Sequence, residues 1–82
     1  YSAFEGTRLA DELRRRGVTR VYVAGLTLDY CVRSTALDAV RLGFSAAVVR
    51  DAVQAVNPDQ SDAVFAELTA AGVDLPVTED LL

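Results

Sequence analysis

The chain has 82 residues, a hydrophobic fraction of 51% and a formal net charge of −4, a composition typical of a folded globular protein rather than a disordered one. It contains neither an apolar run near the roughly 18–20 residues that span a bilayer nor a signal-peptide pattern, so we expect a cytoplasmic protein without a membrane partner. The acidic balance and the lack of a basic face argue against a nucleic-acid partner.

The length of the chain allows one small domain or a part of a larger one. The sequence begins at Tyr1 and contains no methionine. We therefore expect it to be part of a longer protein.

The first predicted unit is a helix over residues 8–16 followed by a strand over residues 20–25. Leu9 and Leu13 lie one turn apart on the inner face of this helix, and Gly17 stands where a left-handed residue closes it. The strand is a continuous apolar run, which is typical of a strand buried on both faces of a parallel sheet.

The second predicted unit is a helix that begins at or just before Cys31 and ends before Gly43, followed by a strand over residues 46–50. Its apolar residues keep a spacing of four, which indicates a helix with one buried face. The unit therefore repeats the helix–glycine–strand pattern of the first.

The third predicted unit starts with Asn57 as N-cap, Pro58 at the first helical position and Gln60 completing a capping box. Its helix runs to Gly72. A short strand over residues 73–77 and the first turn of a terminal helix over residues 78–80 follow.

Pro76 favours an edge position for the last strand, because proline cannot donate to a sheet ladder. Alternating helices and strands predict an α/β fold, a three-layer α/β/α Rossmann-like parallel sheet with right-handed crossovers. About three helix–strand units are present, so we expect only the C-terminal part of such a sheet.

Cys31 is the only cysteine, which excludes an internal disulfide framework and a cysteine-rich zinc site. It follows a predicted strand and opens a helix, the place where ligands bind in open α/β sheets. Free N–H groups and partial positive charge at a helix N-terminus stabilise a thiolate and an oxyanion. From the residues alone, a buried structural thiol and a nucleophile both stay open. The position of Asp29, two residues before Cys31, favours a side chain that hydrogen-bonds to the turn over one that acts as a catalytic acid.

The segment Gly25-Leu-x-x-Asp-Tyr-Cys31-Val-Arg-x-Thr-Ala-x-Asp-Ala39 resembles the nucleophile motif of nicotinamidases (pyrazinamidases) in the isochorismatase-like cysteine hydrolase superfamily. Residues 1–6 are similar to a second segment of that family, which borders the substrate pocket. Leu28 stands where many members carry threonine.

The resemblance implies that residues 1–82 are the C-terminal part of a single isochorismatase-like hydrolase domain whose N-terminal half is the missing partner. In the intact enzyme Cys31 would attack the carboxamide of nicotinamide, release ammonia and form a thioester that water hydrolyses, a step of NAD salvage. The resemblance also implies an oxyanion hole formed by the backbone N–H groups of Thr27 and Cys31, and a cis peptide bond between Leu26 and Thr27.

For Tyr1 and Tyr30 the resemblance implies a place in the substrate pocket, and ordinary packing is an equal alternative. Family members also use an aspartate base, a lysine and a divalent metal of the zinc, iron or manganese type, all held by the part of the chain that precedes Tyr1. The sequence contains no lysine and no histidine, so we expect no metal ligands here and no activity from this chain alone.

Two alternatives stay open beside nicotinamide hydrolysis. One is an isochorismatase-like hydrolase of another small amide, such as a carbamoyl compound, although Asp29 and Tyr30 favour the nicotinamidase branch. The other is a non-catalytic fragment or assembly module. A homo-oligomer also stays open.

Overall fold

The structure is a computed structural model that describes residues 2–54 and 58–81. Within those ranges the chain forms helices α1 (Leu9–Arg15), α2 (Arg33–Arg41) and α3 (Ser61–Ala70) and strands β1 (Arg20–Leu26) and β2 (Ser45–Gln54). The order α1–β1–α2–β2–α3 confirms the predicted alternation of helices and strands.

β1 and β2 form a parallel pair joined by the crossover through α2. Val21 pairs with Ala46 and Val23 pairs with Val48, and residues paired in this way point to the same face of the sheet. The parallel sheet with helices confirms the predicted α/β class.

Residues 73–77 lie along the free edge of β2, as the sequence predicts, but they form a single bridge rather than a strand. Asp74 pairs with Ala47, and the Arg50 N–H donates to Pro76 O at 2.9 Å. Pro76 has no N–H with which to continue the ladder. The proline therefore explains both the edge position and the shortness of the pairing.

The core lies between one face of the sheet and the helices. Ala46 and Val48 of β2 are 1% and 0% exposed, and Leu68 of α3 is also fully buried. The same cluster contains Ala36 and Ala39 of α2 and Val64 of α3. Leu9 and Leu13 of α1 pack against it.

The burial predicted for both faces of β1 is wrong for the described chain. Val21 and Val23 are half-buried, and Tyr22 is 52% exposed. β1 pairs with β2 along one edge, and the described residues place no strand along its other edge. An apolar strand with one paired edge keeps part of its surface open to solvent.

The ends of α1 and the C-terminal end of α2 agree with prediction to within a residue, whereas the starts of α2 and α3 differ by more. Gly17 has a φ of +74°, which only glycine adopts readily, and it follows α1 as expected. α3 begins at Ser61 rather than next to Pro58, because Pro58–Gln60 forms a 3₁₀ turn. Asn57 lies outside the described residues. Another 3₁₀ turn, Thr78–Leu81, occupies the place of the predicted terminal helix.

None of the helices in the described ranges combines the length and the apolar character that crossing a membrane requires.

Candidate active site

Gly25 is the next-to-last residue of β1, just before the turn to α2. Its φ of +101° lies in the left-handed region, which glycine adopts without the steric cost that a side chain imposes. The strand pairing shifts at the same place, since Val23 pairs with Val48 but Gly25 pairs with Val53. The glycine of the motif therefore marks the point where β1 leaves its regular register.

After Thr27, which is extended with φ −119° and ψ 136°, the chain winds into a π turn over Leu28–Val32. The Val32 N–H donates to Thr27 O at 2.9 Å, and the Arg33 N–H donates to Leu28 O. These bonds follow the i→i−5 pattern, which is rare and is found frequently at functional sites. Helical winding thus begins before Cys31, as the sequence predicts, but in a form it does not predict.

Two buried side chains hold the π turn in the core. Leu28 and Val32 are 1% and 2% exposed, and residues four apart share one side of a helix. Tyr30 and Cys31 lie between them and are exposed. Leu28, at the position where the related family often carries threonine, is therefore a packing anchor for the turn that presents Cys31.

Cys31 lines a cleft of about 290 Å³, here called the Cys31 cleft. Its thiol is free and exposed. The other lining residues come from the N-terminal segment, from β1 and from the start of α2: Ser2, Ala3, Val23, Ala24, Val32, Thr35. The structure places the thiol at an open surface of the described chain and not in its core.

The position of Cys31 in the helix determines the electrostatics of the cleft. Cys31 lies in the first turn of the helical winding, which starts at Leu28, and this positive end of a helix favours negative charge. Among the described residues, no aspartate, glutamate or arginine lines the Cys31 cleft. A general base for the thiol would therefore have to come from outside the lining that the structure describes.

Tyr30 does not line the Cys31 cleft in the described chain. Its side chain is 46% exposed and lines a second cleft of about 480 Å³ beside Gln60 and Ala63. Tyr1 lies outside the described residues, so its predicted place in the substrate pocket stays a prediction. Of the predicted site residues, the structure joins Thr27 and Cys31 in one turn and directs Tyr30 elsewhere.

An ion pair crosses the second cleft and links α2 to α3. The Arg33 Nη2 donates to Glu67 Oε2 at 2.8 Å, and Arg33 Nε donates to the other carboxylate oxygen. The guanidinium holds the pKa of Glu67 below its usual range. Arg33 follows Cys31 by two positions, so the pair fixes the helix start against α3.

The N-terminal segment is attached to α2 next to the Cys31 cleft. The Ala3 N–H donates to Thr35 Oγ1 at 2.9 Å. A hydrogen bond with Ser2 and then the nearby Arg41 hold the pKa of Asp38 below its usual range. Thr35 and Asp38 are motif residues to which the sequence assigned no role; the signal was that Thr35 stands one helical turn after Cys31.

A metal site was expected only outside this chain. Within residues 2–54 and 58–81, no group of three or more histidine, cysteine, aspartate or glutamate side chains is placed to hold a metal ion. The described residues therefore do not provide the ligands of the divalent metal that the resemblance implies.

The sequence of the chain matches the model of a known protein family. The model of the isochorismatase domain matches residues 1–80. The chain belongs to the isochorismatase domain family.

Two curated relatives carry named activities. The nicotinamidase/pyrazinamidase of Mycobacterium tuberculosis is 44% identical over 80 residues, which cover 92% of this chain and 43% of that protein. The nicotinamidase of Escherichia coli is 40% identical, with 98% of this chain and 41% of that protein covered. The resemblance to nicotinamidases is thereby confirmed, and the chain spans about two fifths of the length of these relatives.

A solved structure agrees with the fold. The pyrazinamidase of Pyrococcus horikoshii in complex with zinc superimposes with a TM-score of 0.91 at 44% identity, over 94% of this chain and 43% of that one. The arrangement of helices against a parallel sheet therefore matches the isochorismatase α/β fold.

Proposed function

We propose that this chain is the C-terminal, nucleophile-bearing part of an amidohydrolase that converts nicotinamide to nicotinate and ammonia. The observation that carries the proposal is the exposed Cys31 thiol on a helical turn beyond the carboxyl end of β1. That position suits a nucleophile in an open α/β sheet, and the named relatives are nicotinamidases. The remaining part of the domain supplies the acid–base group and any metal.

The proposed reaction proceeds through a thioester. The Cys31 sulfur attacks the carboxamide carbon, and the carbonyl oxygen becomes an oxyanion that the N–H groups of Thr27 and Cys31 stabilise. The intermediate collapses as the nitrogen accepts a proton and leaves as ammonia. Water then adds to the thioester carbon, the carbon–sulfur bond breaks, and nicotinate leaves with the thiol regenerated.

The 82-residue chain alone is proposed to be inactive on nicotinamide. In the described lining of the Cys31 cleft, no carboxylate is present to accept the thiol proton. General acid–base groups contribute typically about 10²–10⁴-fold to rate, and here they belong to the proposed N-terminal half. Mixing this chain with the separately expressed N-terminal half should restore ammonia release if the two halves assemble.

The nucleophile is tested in the full-length protein with Cys31→Ala. We expect the rate of ammonia release from nicotinamide to fall by about 10³-fold or more, because nucleophile deletions in covalent hydrolases have effects of that order or larger. Hydroxylamine should trap the acyl group of the wild-type enzyme as a hydroxamate, and the variant should form no hydroxamate.

The matched control is Ser34→Ala. Ser34 lies on α2, directly after the π turn that carries Cys31, and lines the groove between α1 and α2 instead of the Cys31 cleft. This variant should retain activity and fold like the wild type. Substantial activity in Cys31→Ala, with its thermal unfolding midpoint unchanged, would rule out Cys31 as the nucleophile.

A further inference from the structure

The N-terminal segment forms one wall of the Cys31 cleft. Ser2 and Ala3 line the cleft together with Cys31 and Thr35. They precede the first helix and lie about 30 positions from α2 in sequence, so a tertiary contact must hold them there. The structure shows two kinds of attachment for this segment, one apolar and one polar.

The apolar attachment is Phe4. Its side chain is 8% exposed and stacks on Phe44 with ring centroids 5.9 Å apart. Stacked aromatic pairs contribute beyond the area they bury. This contact fixes the segment to the core, but Phe4 follows Ser2 and Ala3, the two residues of the segment that line the Cys31 cleft.

The polar attachment acts on those two residues, and we call it the N-terminal anchor. It consists of the hydrogen bond from Ala3 N–H to Thr35 Oγ1, 2.9 Å long, and of the Asp38 carboxylate, which lines the groove between α1 and α2 together with Ser2 and has its pKa lowered by Ser2. Thr35 and Asp38 are three residues apart and therefore share one side of α2. Arg41 pairs with Asp38 at 3.2 Å and so orients that carboxylate.

We propose that Thr35 and Asp38 are positioning residues that hold Ser2 and Ala3 as a wall of the Cys31 cleft and thereby set the size of the amide that reaches the thiol. The inference rests on the proposed function and deepens it, because it assigns substrate fit to two motif residues that do not react. Losing the wall should weaken substrate binding more than it slows the chemical step.

The test uses Thr35→Val in the full-length protein, because valine keeps the shape of threonine and removes the Oγ1 acceptor. A net hydrogen bond corresponds to a factor of about 2–10 in an equilibrium, so we expect KM for nicotinamide to rise by about that factor while kcat stays within about twofold. The Ala3 amide should exchange its hydrogen faster by a similar factor. Thr35→Ser keeps a hydroxyl and should restore both values.

The matched control is Thr69→Val. Thr69 is also a helical threonine whose Oγ1 is engaged, with Phe65 O at 2.9 Å, but it lies on α3 and lines no described part of the Cys31 cleft. Equal changes of KM and kcat in Thr35→Val and Thr69→Val would reduce Thr35 to a structural residue and overturn the inference. So would an unchanged Ala3 exchange rate, or faster exchange with an unchanged KM.

A second readout separates this inference from the proposed function. If the full-length protein releases no ammonia from nicotinamide, the proposed function fails, and the wall is judged by thiol labelling alone. Thr35→Val should then raise the rate of Cys31 labelling by N-phenylmaleimide relative to the rate with the smaller iodoacetamide. An unchanged ratio overturns the inference. Asp38→Asn, which weakens the other half of the N-terminal anchor, provides the same measurement if Thr35→Val does not fold.

Discussion

The two strands arise from the same sequence pattern but have different surroundings. Residues 46–49 of β2 are all buried, and β2 has backbone hydrogen bonds on both edges, to β1 and to residues 73–77. β1 is equally apolar, yet Tyr22 is 52% exposed and its described pairing is limited to one edge. An apolar sequence shows that a strand is suited to burial, while its actual burial depends on which strands and helices pack against it.

The contrast also locates the candidate site. The Cys31 cleft lies against β1, with Val23 and Ala24 in its lining. The strand that presents the nucleophile is thus the one whose second edge is open in the described chain. An edge of this kind accepts another strand, and we expect the proposed N-terminal half of the domain to pair there and supply the opposite side of the cleft.

The largest expected effect tests whether the difference between the strands persists in the full-length protein. Val23 and Val48 are paired residues of one type on one face, and Val48 is 0% exposed. Val48→Ala should lower the free energy of unfolding by about 2–3 kcal/mol, because it removes two buried methyl groups and leaves a cavity. If a further strand covers β1, Val23→Ala should cost about the same, as measured by denaturant unfolding.

The two valine substitutions serve as controls for each other. A cost at Val23 of less than half the cost at Val48 would show that β1 stays an edge strand in the whole protein. That result would contradict the pairing of the N-terminal half with β1.

A smaller effect concerns the other edge of β2. The Thr78 N–H and hydroxyl donate to Asp51 Oδ1 at 2.8 and 2.9 Å, and the backbone bond is the larger cause that lowers the pKa of Asp51. A lowered carboxyl pKa stabilises the fold above the unfolded value of about 4, and the contribution is lost as the pH falls through the folded value. Asp51→Asn should therefore destabilise slightly at pH 7 and match the wild type in acid.

The measurement for Asp51 is the thermal unfolding midpoint as a function of pH, with Glu79→Gln as the control. Glu79 is an exposed residue of the same 3₁₀ turn. A difference between Asp51→Asn and wild type that does not shrink below pH 4 would show that the charge of Asp51 is not what holds Thr78.

The regular elements were predictable because they depend on local pattern. The spacing of Leu9 and Leu13, the glycine after α1 and the apolar run of β2 each act within a few residues along the chain. The position of Cys31 at a strand end followed from the order of elements alone, since topology places strand ends together. The sequence pattern was weaker at α3, where Pro58 permits a 3₁₀ turn as readily as a first helical turn.

The detailed site depends on contacts that leave no local signature. Leu28 and Val32 of the π turn both reach the core, a fact about depth rather than spacing. Tyr30 and Cys31 are adjacent in sequence but line different clefts, because successive residues of a helical turn point in different directions. The bond from Ala3 to Thr35 joins residues far apart in the chain, so periodicity could not indicate it.

The smallest expected effect lies on the face of the sheet away from the helices. Arg20 of β1 donates to Asp74 Oδ2 at 2.9 Å across β2 and lies over the Tyr22 ring at 5.0 Å. A double-mutant cycle with Arg20→Gln and Asp74→Asn should give a coupling energy close to the error of the measurement, falling further with added salt, because an exposed ion pair gains little in water, costs side-chain entropy and is weakened by salt. A coupling that is clearly measurable and independent of salt would mean that another part of the full-length protein covers this face and excludes water from it. In that case the exposed face of β1, like its open edge, would be a feature of the described chain and not of the full-length protein.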